Sequence, residues 1–351
     1  MSYLSRNNKF PAGYFVTTLQ LPYMQFPIYC RPGGIVFLDD DPDFLQMVAE
    51  VMPNSWHVRL FQRPVKCAEV LDQEQSVWEA DTRSQQEIVN RWREGAPLIP
   101  QILKYWREDG TKRFSLTQVC VVDYSMPAKN GLQFLDEMKS WKGSRILLTG
   151  QADEQIAVDA FNRDLIEKFI PKHIPELRLR VVEAIHGLLL KSAERHQQTW
   201  LPTLSHTQQS HLNDPLISKR LGDLAQMQGW VEHVVIGAPF GVLALDFEGT
   251  IQWLQLEPTE NLHELAEIAE SQGWDDETVQ EIKAGEKLID LELQQALGNG
   301  LRPQPREAFT IEGEKSVLHA AQFAVFEDLS VAYMNSHGRF LASHAERALQ
   351  D

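Results

Sequence analysis

Short apolar runs recur along the first part of the chain, and each one stops at a charged or hydroxyl side chain. The runs are Ile35–Leu38 before Asp39, Val119–Val122 before Asp123, Ile146–Leu148 before Thr149, and Phe169–Pro171 before Lys172. They are too short for helices, so each is predicted to be a buried strand. Amphipathic helical spacing follows most of them. Strands that alternate with such helices predict a parallel sheet covered by helices on both faces.

A second strand and a long charged segment lie between the first two of these runs. "WHVRLFQ" (56–62) alternates between apolar and polar residues, which predicts a strand. Residues 64–114 are rich in charge and have helical spacing, so they predict a helical insertion. The sheet is therefore predicted to have five parallel strands.

The polar residues that end the strands are predicted to meet. In a parallel sheet of this kind, ligands bind outside the carboxyl ends of the strands. Asp39, Asp40, Asp123, Thr149 and Lys172 all fall at such ends. Carboxylates this close repel one another unless a cation lies between them. Oxygen ligands of this kind suit Mg²⁺, which also leaves room for phosphate oxygens.

This set of residues is suited to phosphoryl transfer. With Mg²⁺ bound, a carboxylate can accept a phosphoryl group and become an aspartyl phosphate. Lys172 would pair with that group, and the Thr149 hydroxyl would donate a hydrogen bond to it. The alternative is that these are solvated loop residues. That interpretation is the weaker one, because all five side chains fall at predicted strand ends.

At these motifs the chain resembles the receiver domains of two-component response regulators. The motifs are "FLDDD", "VVDYSMPAKNG", "LLTG" and "FIPK". The resemblance implies that Asp123 is phosphorylated, that Asp40, Asp123 and the Ser125 carbonyl hold Mg²⁺ with help from Asp39, and that Thr149 and Phe169 form the switch. It also implies a sensor histidine kinase or phosphotransfer protein as partner, and a homodimer that forms on phosphorylation. The insertion at 64–114 and His173 after Lys172 depart from the family pattern.

The second half of the chain has a different pattern. Residues 1–32 form an N-terminal arm, in which "YFVTTLQL" is a candidate edge strand, and 33–198 form the receiver. Residues 199–236 are predicted to be a linker with a helix from Pro215 to about His233. In 237–351 two strands flank "DFEG", helices follow, and about three strands close the chain. This order predicts an α+β output domain and resembles a PAS-type domain. The whole architecture resembles response regulators of α-hydroxyketone quorum sensing.

Charge and cysteine usage narrow the function classes. A formal net charge of -16 argues against a nucleic-acid partner, because nucleic-acid-binding surfaces use clustered Lys and Arg to neutralise phosphates. The three cysteines lack metal-ligand spacing and fit a reducing cytoplasm, and no signal peptide or membrane span is apparent. Two alternatives remain for the output domain: a nucleotide-handling enzyme that binds metal through Asp246 and Glu248, or an unrecognised DNA-binding fold.

Overall fold

The computed structural model describes residues 25–108, 110–127, 129–150, 154–325 and 336–344. The candidate edge strand "YFVTTLQL" lies outside the described residues. Among the helices that the structure describes, none is both long and apolar enough to cross a membrane.

The strands divide into two main sheets and one small one. In chain order they are β1 (Tyr29–Cys30), β2 (Gly34–Leu38), β3 (Val58–Phe61), β4 (Thr117–Asp123), β5 (Ser144–Thr149), β6 (Lys168–Pro171), β7 (Trp230–Gly237), β8 (Phe240–Asp246), β9 (Ile251–Pro258), β10 (Lys287–Ile289), β11 (Pro305–Glu307), β12 (Phe309–Glu312) and β13 (Val317–Ala324). Among the described residues, β10 and β11 form a two-stranded sheet of their own.

The helices lie on both faces of the first sheet and around the second. They are α1 (Pro42–Val51), α2 (Pro64–Arg93), α3 (Leu98–Glu108), α4 (Gly110–Ser115), α5 (Gly131–Glu137), α6 (Glu154–Asn162), α7 (Leu177–Trp200), α8 (His206–Leu212), α9 (Pro215–Met227), α10 (Leu262–Ser271), α11 (Asp276–Lys283), α12 (Leu291–Leu297) and α13 (His337–Ser343).

The first sheet is parallel, with the strand order β3-β2-β4-β5-β6. Every residue of β2, β4 and β5 is buried, as expected of strands covered on both faces. The chain runs outward from β2 to β3 and then crosses to β4. This change of direction places the carboxyl ends of β2 and β4 side by side, where α/β sheets bind ligands. The predicted five-stranded parallel sheet is confirmed.

The second sheet is antiparallel, with the strand order β1-β7-β8-β9-β13-β12. The predicted hairpin around "DFEG" is present as β8 and β9, and the pair β12 and β13 turns at "EGEK". Strand β1 pairs with β7 in this sheet, with Tyr29 opposite Val234 and Cys30 opposite His233. The α+β class of the second half is confirmed.

Two long helices connect the hydrophobic cores of the two sheets. Near its start, α2 buries Cys67 and Leu71 against the first sheet, and near its end it buries Ile88 in the core of the second. Likewise, α7 packs Val181, Ile185 and Leu188 on the first sheet and Trp200 in the second core. Helix α2 of the insertion and helix α7 therefore each contribute side chains to both cores.

Three segments differ from the sequence prediction. The helix from Pro215 ends at Met227, because Gly229 adopts a left-handed φ of 66° and the Val-rich segment after it forms β7. Similarly, Gly285 at φ 73° ends α11, so β10 replaces a predicted helix. Part of the predicted linker is α8, which begins with a reciprocal capping box between Ser205 and Gln208.

Candidate functional site

The predicted site residues meet at the carboxyl edge of the first sheet. Asp39 follows β2 and Asp123 ends β4, and both are almost fully buried. The Lys172 Nζ lies 2.6 Å from Asp39 Oδ2 and 2.7 Å from Asp123 Oδ1. One ammonium therefore bridges two buried carboxylates that come from different strands.

Lys172 is held by its backbone as well as by its side chain. Its N–H donates to the Thr149 carbonyl over 2.6 Å, which continues the pairing of β6 with β5. Burial lowers the pKa of the ammonium, but hydrogen bonds to Asp123 and Asp39 outweigh that effect and the net pKa is raised. Lys172 is therefore charged at neutral pH.

The carboxyl group of Asp39 has a shifted pKa. Burial raises its pKa to about 6, because the ionised form loses hydration. The hydrogen bond from Lys172 opposes this shift, and the neighbouring charge of Asp123 reinforces it. Because the net shift is upward, the Lys172 charge alone does not compensate for the burial of the ionised form. A further cation beside Asp39 would stabilise its carboxylate.

The acidic triplet divides into two functions. Asp39, Asp40 and Asp123 each offer an oxygen atom, and these atoms lie within 4.8 Å of one another. The third acid, Asp41, caps α1 instead: its Oδ1 accepts the N–H of Asp43 at 3.0 Å and of Phe44 at 3.3 Å. The arrangement and its hard oxygen donors fit Mg²⁺.

The loop after β4 shapes the position of Asp123. Ser125 donates its N–H to Asp123 Oδ2 at 2.7 Å, which places Ser125 beside the acceptor; its carbonyl as a metal ligand stays a prediction. Gly131 begins α5 directly against this loop. A Cβ at residue 131 would lie 2.3 Å from the Asp123 carbonyl oxygen, so only glycine fits there.

The two predicted switch residues lie on neighbouring strands. Thr149 is the last residue of β5 and is buried, and it is opposite Pro171 of β6. Phe169 is half-buried and packs against a core cluster that includes Leu147, Ala160 and Leu165. Their movement on phosphorylation stays a prediction.

Phe44 also lies beside this site, which the sequence did not predict. The Phe44 ring centroid lies 4.4 Å from Lys172 Nζ. In the sequence, Phe44 is one apolar position of the helical spacing that follows Pro42. Nothing local in the sequence relates it to a lysine that is far away along the chain.

The acids proposed for an alternative metal site have a structural explanation. Asp246 Oδ1 accepts the N–H of Glu248 at 2.9 Å and of Thr250 at 2.7 Å, which closes the turn between β8 and β9. Across the described residues, the site at Asp39, Asp40 and Asp123 is the only cluster of three potential metal ligands.

Comparison with known proteins gives a structural match but no sequence match. No protein-family model and no curated protein matches the chain. The response regulator LqsR of Legionella pneumophila superimposes with a TM-score of 0.69 and 23% identity, over 93% of this chain and all of that one. A CheY-like receiver domain protein of Methanospirillum hungatei JF-1 aligns with 47% of this chain at 13% identity and a TM-score of 0.30. The BeF3-activated DrrB receiver domain aligns with 45% of this chain at 16% identity and a TM-score of 0.29. Over nearly its whole length, the chain has the fold of a response regulator.

Proposed function

We propose that the protein is a response regulator of a bacterial two-component phosphorelay and that Asp123 is its phosphoacceptor. The observation that carries the proposal is the Lys172 ammonium, which bridges Asp39 and Asp123 at adjacent strand ends. Asp40 adds a third carboxylate within ligand distance. Two buried carboxylates that share one ammonium, with the exposed carboxylate of Asp40 beside them, suit an acceptor for phosphoryl groups.

In the proposed reaction an Asp123 carboxylate oxygen attacks the phosphorus of a phosphohistidine on a sensor kinase or phosphotransfer protein. The new P–O bond forms as the P–N bond breaks, and the histidine nitrogen keeps the electron pair. Lys172 holds the charge of the product, and the Thr149 hydroxyl donates to it. Mg²⁺, held by Asp40, Asp123 and the Ser125 carbonyl with help from Asp39, would neutralise charge on the phosphoryl oxygens.

The second domain is proposed to be a protein-interaction or ligand-sensing output. Thr149 and Phe169 would report phosphorylation to α6 and α7. Because α7 also buries Trp200 in the second core, it offers a direct route to the output domain. A cytoplasmic location and a setting in α-hydroxyketone quorum sensing are part of the proposal, and the family resemblance of the sequence and the whole-chain likeness to the response regulator LqsR support them.

The test is phosphorylation of the full chain by acetyl phosphate with Mg²⁺, followed by intact mass and peptide mapping. We expect one phosphoryl group on Asp123, none on Asp123→Asn, and normal labelling of the control Asp43→Asn, whose side chain is exposed in the first turn of α1. Equal labelling of wild type and Asp123→Asn at the same stoichiometry would contradict the proposal.

A further inference from the structure

The aromatic ring of Phe44 and the ammonium of Lys172 are in contact beside the acidic pocket. The ring centroid is 4.4 Å from Nζ, while the same nitrogen lies 2.6 Å from Asp39 and 2.7 Å from Asp123. This distance lies within the range of cation–π attraction, in which the negative face of the ring attracts the cation. The ammonium therefore has three attractive neighbours, one of which is uncharged.

We propose that Phe44 is a positioning residue for Lys172 in phosphoryl binding at Asp123. The inference rests on the proposed function, because it assigns Phe44 a part in the same reaction. Phe44 acts only through Lys172.

The position of Phe44 is fixed by neighbouring contacts. Asp41 accepts the Phe44 N–H in the cap of α1, and Leu45 and Val48 of the same helix are buried against the first sheet. The first turn of α1 is thus tied to the acidic loop at one end and to the core along its side. The third acid of "DDD" consequently serves the site indirectly, since it holds the backbone of the residue that contacts Lys172.

A neutral partner has a specific advantage here. Lysine has a flexible stem, and the Lys172 side chain is 21% exposed, so fixing its ammonium costs conformational entropy. Another carboxylate would hold the ammonium but would also repel an incoming phosphoryl group. The ring attracts the cation without adding negative charge to the pocket. Phe44 therefore restrains Lys172 and leaves its charge available.

The first experiment compares beryllofluoride binding by the full chain with Mg²⁺ for wild type, Phe44→Leu and Phe44→Tyr. We expect Phe44→Leu to weaken binding about three- to thirtyfold, the range of a cation–π contact, and Phe44→Tyr to restore most of it. Incorporation of mono-, di- and trifluorinated phenylalanine at residue 44 should weaken binding stepwise, because fluorine withdraws charge from the ring face at nearly constant size. Met47→Leu, in the same helix, is the control for packing.

A second set of measurements separates positioning from general damage to the site. Mg²⁺ affinity without beryllofluoride should be unchanged or higher in Phe44→Leu, since a less restrained Lys172 competes less for the carboxylates. In a Lys172→Met background, Phe44→Leu should have no further effect on beryllofluoride affinity. Ring-current shifts of the Lys172 ε-protons by NMR should disappear in Phe44→Leu.

The outcomes distinguish the two proposals. If wild type binds beryllofluoride but the fluorinated series is flat, or Phe44→Leu weakens Mg²⁺ and beryllofluoride equally, the positioning role is wrong and the proposed function stands. If wild type itself binds no beryllofluoride and accepts no phosphoryl group, both proposals are wrong.

Discussion

Arg113 and Glu232 form an ion pair that is almost fully excluded from solvent. The Arg113 Nε lies 2.8 Å from Glu232 Oε2, with the two side chains 2% and 0% exposed. The pair joins α4 of the insertion to β7 of the output sheet, and Arg113 Nη1 also donates to the Trp106 carbonyl at 2.6 Å. It therefore connects the insertion to the second domain by a contact that water cannot replace.

Breaking this pair on one side should destabilise the protein strongly. Glu232→Gln leaves the Arg113 charge buried without its counter-charge, which typically costs about 3–5 kcal/mol. Replacing both residues with Met and Leu should restore most of the loss. Urea unfolding measures this, with Lys219→Ala as the control, because its pair with Asp223 is exposed and contributes about 1 kcal/mol at most. A Glu232→Gln protein as stable as wild type would contradict the expectation.

The site was predictable because its signals are local. A buried parallel strand must be apolar throughout, so "GIVFL", "VCVVD" and "RILLT" mark β2, β4 and β5 without knowledge of their neighbours. Parallel pairing then brings their carboxyl ends together, which makes the meeting of Asp39, Asp123 and Lys172 a consequence of topology.

The remaining features depend on contacts between distant segments. Nothing in "IYC" indicates that β1 pairs with β7, about two hundred residues away in the chain. The role of α2 as a helix shared by two cores depends on where the second sheet lies. By contrast, α8 and β7 had local signals in the Ser205 capping box and in Gly229.

Stability should fall on mild acidification because of the buried histidine His337. Burial lowers its pKa from the ordinary 6.5 to about 4, helped by the nearby Arg113 charge. The neutral form is favoured in the folded protein, so the stabilisation is complete above pH 6.5 and is lost as the pH falls toward 4. At pH 5.5 the free energy of unfolding is lower by about 1.4 kcal/mol, because His337 is protonated in the unfolded chain but stays neutral in the folded protein.

The variant His337→Phe removes the titrating group and keeps an aromatic ring beside Phe114 and Phe340. Unfolding free energies of both proteins are compared at pH 7.5 and 5.5. When the pH is lowered from 7.5 to 5.5, the free energy of unfolding of the variant should rise by about 1.4 kcal/mol relative to that of wild type. Two other histidines with lowered pKa values, His57 and His233, are present in both proteins; His233 cancels, and for His57 only the contribution of the His337 charge, the smallest cause of its shift, differs. A constant difference at the two pH values would exclude titration of His337.

Gly131→Ala should damage the phosphoacceptor loop. The new methyl group would lie 2.3 Å from the Asp123 carbonyl oxygen, and because that atom is backbone the loop must move. We expect a loss of about 1–3 kcal/mol in stability together with slower labelling by acetyl phosphate. The control is Gly187→Ala in α7, where a Cβ meets nothing within 4 Å and alanine should stabilise by about 0.5–1 kcal/mol. Normal labelling of Gly131→Ala would mean that Asp123 tolerates displacement of its loop.

Phosphorylation should promote dimerisation through the face that follows Thr149. On α6, Val158 and Phe161 are 56% and 45% exposed and lie three residues apart, which puts them on one side of the helix. Leu179 of α7 is 38% exposed as well. Since α6 and β6 both follow Thr149 in the chain, inward movement of the Thr149 and Phe169 side chains would alter this surface first.

Sedimentation with and without beryllofluoride tests this expectation at micromolar protein. We expect wild type to change from monomer to dimer, and the double variant Val158→Ser/Phe161→Ser to bind the ion and remain monomeric, because it lacks the apolar area that the contact would bury. Met227→Ser is the matched control, since Met227 is even more exposed but ends α9, next to the output sheet. An unchanged mass for wild type with the ion shown to be bound would mean that the signal reaches the output domain within one chain, along α7.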